Sequence, residues 1–243
     1  MGKLHAFFFA ATLLCAPLAY AQQAQAPAAQ TSAPLPPPLL DGAALLGAPP
    51  APGSAAQAAD TLSMHPLASA ERLALARQDQ AFSPWVAMGP VLGAQFTAQR
   101  FPATARVLTA MVAQTNSVIS AAKTTYARTR PYVSNPSVLQ CDQPSPGNGA
   151  SASYPSTHAA IGWGAALILA ELLPSRADAL LQRGVDFGES RHICGFHYPT
   201  DIEAARLGAA AVVARLHADP AFERDIAAAR RELARAYPVS AAH

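Results

Sequence analysis

The sequence predicts an all-α protein: a single-domain helical bundle behind an irregular N-terminal arm. Three observations carry this expectation. Apolar residues recur at helical spacing in six stretches from residue 73 onward, and no stretch of useful length alternates apolar with polar residues as a strand would. Ile161–Leu172 is apolar all round, which suits a central, fully buried helix.

Taken in order, the chain opens with Lys3, an apolar run through Phe7-Phe8-Phe9, Leu13 and Leu14, and then Ala19-Tyr20-Ala21. A charged start, a short apolar core and a small-residue ending describe a secretory signal peptide over residues 1–21. Cleavage there implies an exported protein, periplasmic or beyond. Cys15 follows Leu14, where a lipoprotein needs a small residue, so no lipid anchor is expected. No later stretch reaches the roughly 20 apolar residues of a spanning helix, so no membrane anchor is expected either.

Residues 22–63 are mostly Ala, Pro, Gln and Gly, with Pro36-Pro37-Pro38 and Pro49-Pro50. Such a segment cannot bury enough apolar surface to offset its conformational entropy and reads as a spacer or strap without chemistry of its own. The catalytic domain is expected over residues 64–243. Its helical stretches hold Leu73, Leu75 and Ala76; then Val107, Leu108, Met111 and Val112 within residues 101–122; then residues 159–173, 177–187, 202–216 and 222–237. Between Pro131 and Tyr154 the run Pro144-Ser145-Pro146-Gly147-Asn148-Gly149 is loop chemistry. Long loops in compact domains are often functional, so this one and residues 83–99 are expected to shape a pocket mouth.

The net charge of +2 comes with no basic run, which argues against nucleic acid or an anionic membrane as partner. In an oxidising compartment Cys141 and Cys194 either pair or remain two buried thiols.

Three short blocks carry the chemistry. Lys123 precedes Arg130-Pro131 by seven residues and is, with Lys3, one of the chain's two lysines. That spacing is about two helical turns, so both cations are expected on one face of a helix that Pro131 ends. Pro155-Ser156-Thr157-His158 opens a helix, with Pro155 suited to a helix start and Ser156 to the cap, ahead of Thr157 and His158. Its free N–H groups and positive helix end suit an anion. Ser190-Arg191 with His197 and Asp201 adds a third cation, and a histidine with a carboxylate one turn away. Asp201 can hold one ring nitrogen of His197 and leave the other free to attack. Arginine forks and a lysine point charge suit a phosphoryl group, and His158 is placed to protonate a departing alcohol. His65, His192, His217 and His243 lack such surroundings.

The pattern Lys-x6-Arg-Pro, Pro-Ser-x-His, Ser-Arg-x5-His-x3-Asp resembles the type 2 phosphatidic acid phosphatase (PAP2) superfamily, which also includes vanadium haloperoxidases. The flanks Ser153-Tyr154-Pro155-Ser156, Ile161-Gly162-Trp163, Gly188-Glu189-Ser190-Arg191 and Ile193-Cys194-Gly195 resemble the bacterial class A non-specific acid phosphatases. That resemblance implies a helical, secreted, metal-independent phosphomonoesterase without a cofactor, acting on small-molecule phosphomonoesters. It implies His197 as nucleophile, His158 as general acid and Asp201 as the group orienting His197. Lys123, Arg130, Ser156, Thr157 and Arg191 match positions that bind phosphate. Relatives of this kind are often homo-oligomers, and some transfer phosphate to alcohols. Thr157 stands where the family usually has glycine, which poses the question whether this backbone needs a positive φ. The readings that compete with an acid phosphatase are a phosphate binder without turnover and a vanadate-dependent haloperoxidase.

Overall fold

The computed structural model describes Gly2 and residues 36–64, 67–141 and 149–238. Apart from Gly2, the segment expected to be a signal peptide lies outside the described residues, as do His65, His243 and the Pro144–Asn148 part of the long loop. The elements, in order, are α1 (Gly42–Leu46), α2 (Ala55–Leu62), α3 (Ala70–Gln78), α4 (Pro84–Leu92), α5 (Pro102–Tyr126) and α6 (Pro131–Ser134). They continue with α7 (Thr157–Leu172), a 3-10 turn (Pro174–Arg176), α8 (Ala177–Ile193), α9 (Pro199–Leu216) and α10 (Pro220–Ala236). Among the described residues there is no strand, and no helix is long and apolar enough to cross a membrane.

Helix α7 is the axis of the bundle. Ile161, Ala165, Ile168 and Leu169 are buried to within 1 % of full exclusion, and α4, α5, α8, α9 and α10 all pack against it. It lies closest to α8, and glycine makes that approach possible. A Cβ on Gly184 would stand 2.6 Å from the Ala166 Cβ, and one on Gly162 would meet the Phe187 ring. Any larger residue at either position would push the two helices apart and move the site residues that each carries.

Helix α10 buries Phe222, Ile226, Ala229 and Leu233, an apolar stripe at helical spacing, and packs on α5. It also caps α5, whose own N-cap Phe101 offers no side-chain acceptor. The N–H groups of Ala103 and Thr104 donate to the Glu232 carboxylate at 3.0 and 2.9 Å, satisfying donors that a helix start leaves without partners.

The arm is more structured than its composition suggests. Helix α1 packs on α5 and α9, and the Tyr126 hydroxyl donates to the Ala43 carbonyl at 2.7 Å. Helix α2 buries Asp60 to 3 % exposure.

One expected boundary moves. Helix α5 stops at Tyr126, with Ala127 left-handed at φ 43, and Pro131 begins α6 instead of ending α5. Arg130 is therefore extended, at φ −73 and ψ 153, and does not share a helix with Lys123. The reason is local: a residue before proline is disfavoured in the helical region, and proline suits a first helical position. Ser156 caps α7, as the sequence predicts, and Thr157 is its first residue.

Cys141 and Cys194 are joined in a disulfide, tying the segment after α6 to the end of α8. Gly195 follows at φ 71, where an added Cβ would collide with the Leu139 carbonyl oxygen. That turn delivers the chain from α8 to His197.

Candidate active site

Helix α5 presents Asn116, Ser120 and Lys123 on successive turns of the face that lines a cavity of about 440 Å³. The Lys123 ammonium donates to the Ala152 carbonyl at 2.5 Å. Burial and the neighbouring Arg130 bring its pKa down to about 7.

Arg130 reaches the same cavity from the start of α6. Its Nε donates to the Gly149 carbonyl at 3.1 Å, and its Nη1 donates to the Phe196 carbonyl at 3.0 Å. Arg191, in the last turn of α8, lies 4.3 Å over the Phe196 ring. Its Nε and Nη1 have no hydrogen-bond partner among the described residues, and burial lowers its pKa to about 10.

His158 is the second residue of α7, stacked on Phe187 at 4.3 Å with Phe82 at 5.7 Å on another side. Burial, then the Arg191 charge, holds its pKa well below the ordinary value. Its Nε2 has no partner among the described residues. His197 sits just before Tyr198, the N-cap of α9. Its Nε2 lies 3.1 Å from Arg130 Nη1 and its Nδ1 3.5 Å from Asp201 Oδ2. Arginine can only donate, so these contacts assign the proton to Nδ1 and leave the Nε2 lone pair to accept from Arg130, which lines the same cavity. Burial, with Arg130 and Lys123 nearby, lowers the His197 pKa to about 3 against the pull of Asp201.

Asp201 is fully buried. Its Oδ2 accepts from the Tyr198 N–H at 2.9 Å and the Ser153 hydroxyl at 2.5 Å, and its Oδ1 accepts from Arg128 Nη1 at 2.6 Å. Burial alone would raise its pKa, but His197, Arg128 and Ser153 outweigh that and hold it below the usual carboxylate value.

The charge balance distinguishes this cavity from the rest of the interior. Buried Arg128 pairs with Asp60 and Asp201, and buried Arg183 pairs with Asp79. Among the described residues, Lys123, Arg130 and Arg191 pair with no carboxylate within 4.0 Å. Buried charges without partners cost several kcal/mol each, so a cavity lined by three cations favours an anion strongly.

The structure thus brings Lys123, Arg130, Thr157, His158, Arg191 and His197 together around one cavity. Asp201 lies behind His197. Ser156 also lies behind the wall, fully buried, its hydroxyl accepting from the Ala159 N–H at 3.3 Å as the cap of α7. Thr157 takes ordinary helical geometry, and Ala127 is the one non-glycine residue with positive φ among those described, so this backbone does not demand glycine.

Sequence reasoning missed the polar shell behind the histidines. Arg128 and Ser153 hold Asp201, and Asp60 reaches Arg128 from the arm. Arg128 stands two residues before Arg130 and could have been suspected, whereas nothing around Asp60 marks it. Gln80, Phe82, Asn116 and Ser120 complete the cavity wall. His192 accounts for itself elsewhere: its Nε2 lies 2.9 Å from the Ser63 carbonyl oxygen, tying α8 to the arm.

A helical bundle with two buried histidines and three cations lacking carboxylate partners at one cavity defines a class of anion-handling site. Residues 104–224, just under half of the chain, match the PAP2 superfamily. The chain is similar to an acid phosphatase of Zymomonas mobilis, 44 % identical over 118 residues that cover 49 % of this chain and 45 % of the relative. A non-specific acid phosphatase of Providencia stuartii is 36 % identical over 151 residues, covering 61 % of this chain and 60 % of the relative. One from Salmonella typhimurium is 40 % identical over 148 residues, covering 59 % of this chain and 58 % of the relative. The chain thus matches between 45 and 60 % of the length of these relatives.

Proposed function

We propose that this protein is an exported acid phosphatase that hydrolyses small organic phosphomonoesters through a phosphohistidine on His197. The observation that carries the reading is a buried histidine, His197, whose Nε2 lone pair accepts from Arg130 at the wall of a cavity whose three cations have no carboxylate partner among the described residues. The relatives named as acid phosphatases support the same reaction.

In this mechanism Lys123, Arg130 and Arg191 bind the non-bridging oxygens of a monoester dianion, and Arg130 turns from His197 Nε2 to the dianion, freeing that lone pair. Backbone N–H groups at the start of α7 add donors. Nε2 of His197 attacks phosphorus in line and the ester P–O bond breaks, while His158 donates its proton to the departing alkoxide. Asp201 stabilises the positive charge that grows on the His197 ring. Water then attacks the phosphohistidine, His158 takes up its proton, and orthophosphate leaves.

The resting pKa values fit an acid-side enzyme. His197 stays unprotonated down to about pH 3 and remains a nucleophile. His158 resists protonation, mainly through burial and then Arg191. A bound dianion offsets that positive field and raises its pKa. Export is supported by the N-terminal sequence and by the Cys141–Cys194 disulfide.

The test is hydrolysis of p-nitrophenyl phosphate in EDTA with vanadate as inhibitor. Turnover with micromolar-range vanadate inhibition supports the reading. Folded protein that binds phosphate without turnover on the acid side would make it a binder instead.

A further inference from the structure

Behind the cavity lies a chain of buried charges that runs out to the arm. Asp201 Oδ1 accepts from Arg128 Nη1 at 2.6 Å, while Arg128 Nη2 donates to Asp60 at 2.7 Å and to the Gln57 amide oxygen at 2.6 Å. Asp60 also accepts from the Thr200 hydroxyl and, at 3.3 Å, from the Thr200 N–H in the first turn of α9. The Arg128 guanidinium lies 4.2 Å over the Tyr198 ring. Asp60, Arg128 and Asp201 are 3 %, 8 % and 0 % exposed, so little water screens them.

We propose that Arg128 and Asp60 are positioning residues for His197: helix α2, through Asp60, holds Arg128 against Asp201 and so fixes both the orientation and the basicity of the nucleophilic ring. This rests on the assignment of His197 as nucleophile. Neither residue reaches the cavity, so neither is a catalytic residue in its own right.

The geometry argues for more than packing. Three strong donors grip Asp201, at 2.5, 2.6 and 2.9 Å, while its contact with His197 Nδ1 is long at 3.5 Å. The carboxylate is therefore placed by Arg128, Ser153 and the Tyr198 N–H, and the imidazole takes its direction from a carboxylate already fixed. Arg128 alone among those donors carries charge. It partly neutralises the field of Asp201 on the ring, and Asp60 in turn partly neutralises Arg128.

The charged and titratable groups around His197 are Lys123 from α5, Arg130 from α6, His158 from α7, Arg191 from α8 and Asp201 from α9. Arg128 and Asp60 act from behind. Replacing Arg128 by a neutral residue leaves Asp201 more negative toward the ring, so the His197 pKa rises. Replacing Asp60 by Asn leaves Arg128 less offset, so it falls. Opposite shifts from neighbouring substitutions are not what a loss of packing produces.

The experiment is the pH profile of kcat/KM for p-nitrophenyl phosphate in wild type, Arg128→Gln, Arg128→Lys and Asp60→Asn, with thermal denaturation of each. Expected kcat losses lie between about 10- and 100-fold for Arg128→Gln, from a misplaced nucleophile, with KM little changed. Its acid limb should move to higher pH by about half a unit or more. Arg128→Lys keeps the charge and should leave the limb where the wild type has it. Asp60→Asn should lower kcat and move the limb, if at all, to lower pH. A wild-type kcat in Asp60→Asn, or a limb that moves upward in every variant, overturns the proposal. If Arg128→Gln does not fold, Arg128→Lys and Asp60→Asn decide it by the same criteria. If wild type shows no turnover, it is the assignment of His197 that has failed, and phosphate affinity equal in wild type and Asp60→Asn would show the anion site intact.

Discussion

Nε2 of His197 lies 3.1 Å from Nη1 of Arg130, and that contact defines the resting site. Arg130 has no acceptor role, so the ring must offer its lone pair, and the same lone pair is what attack on phosphorus requires. Arg130 also donates to two carbonyls, of Gly149 and Phe196, which hold its guanidinium beside the ring at the cavity wall. Arg130→Ala should therefore cost about 100- to 1000-fold in kcat, as removal of a preorganised donor does. Steady-state kinetics check this, and a change confined to KM would mean that Arg130 serves ground-state binding alone.

His158 is expected to matter in proportion to how poor the leaving group is. Its ring lines the cavity beside Phe187 and Phe82, and its Nε2 has no partner among the described residues. His158→Asn should lower kcat for an alkyl phosphate by about 100- to 10,000-fold. For p-nitrophenyl phosphate, whose phenolate leaves unaided, the loss should be clearly smaller. Equal losses for both esters would remove His158 from the role of general acid.

Stability should fall as the pH is lowered in phosphate-free buffer and be restored by added phosphate. The folded pKa of His197 is lowered from 6.5 to about 3, so between those values the unfolded chain binds a proton that the folded one refuses. The stability tied to this ring is full above pH 6.5 and is lost as pH falls toward about 3. Lys123, lowered from 10.5 to about 7, adds a loss in the same direction at higher pH. Thermal melts should thus show a falling Tm from neutral to acid pH, with a phosphate-induced rise that grows as pH drops. A phosphate effect independent of pH would contradict the charge picture.

Thr157 tests the backbone at the mouth of α7. Because the residue is helical, glycine there would bring no relief and only a more flexible unfolded chain. Thr157→Gly should lower stability by about 0.5–1 kcal/mol. A rise in Tm would show that threonine strains the turn after all.

The sequence made the helical class legible because α5, α7, α9 and α10 bury apolar stripes at helical spacing that nothing else explains. Helices α1, α2 and α4 escaped because they are short, rich in small residues or proline, and stabilised by contacts rather than propensity. The cavity residues were legible because unusual types stood at regular spacing. The relation of Lys123 to Arg130 was misread for a local reason: a helical period was extended through Ala127, where the chain turns left-handed. Asp60 could not be found, since its partner Arg128 lies 68 residues away and only the fold brings the two together.

The most direct test of the account is to trap the covalent intermediate. The protein is mixed with a phosphomonoester bearing radiolabelled phosphate and quenched rapidly in alkali, which preserves a phosphohistidine. Peptide mapping should then place alkali-stable, acid-labile label on His197, and none should form in His197→Ala. Label on another residue, or turnover in the wild type without any trapped label together with full activity in His197→Ala, would contradict the assignment of His197 as nucleophile.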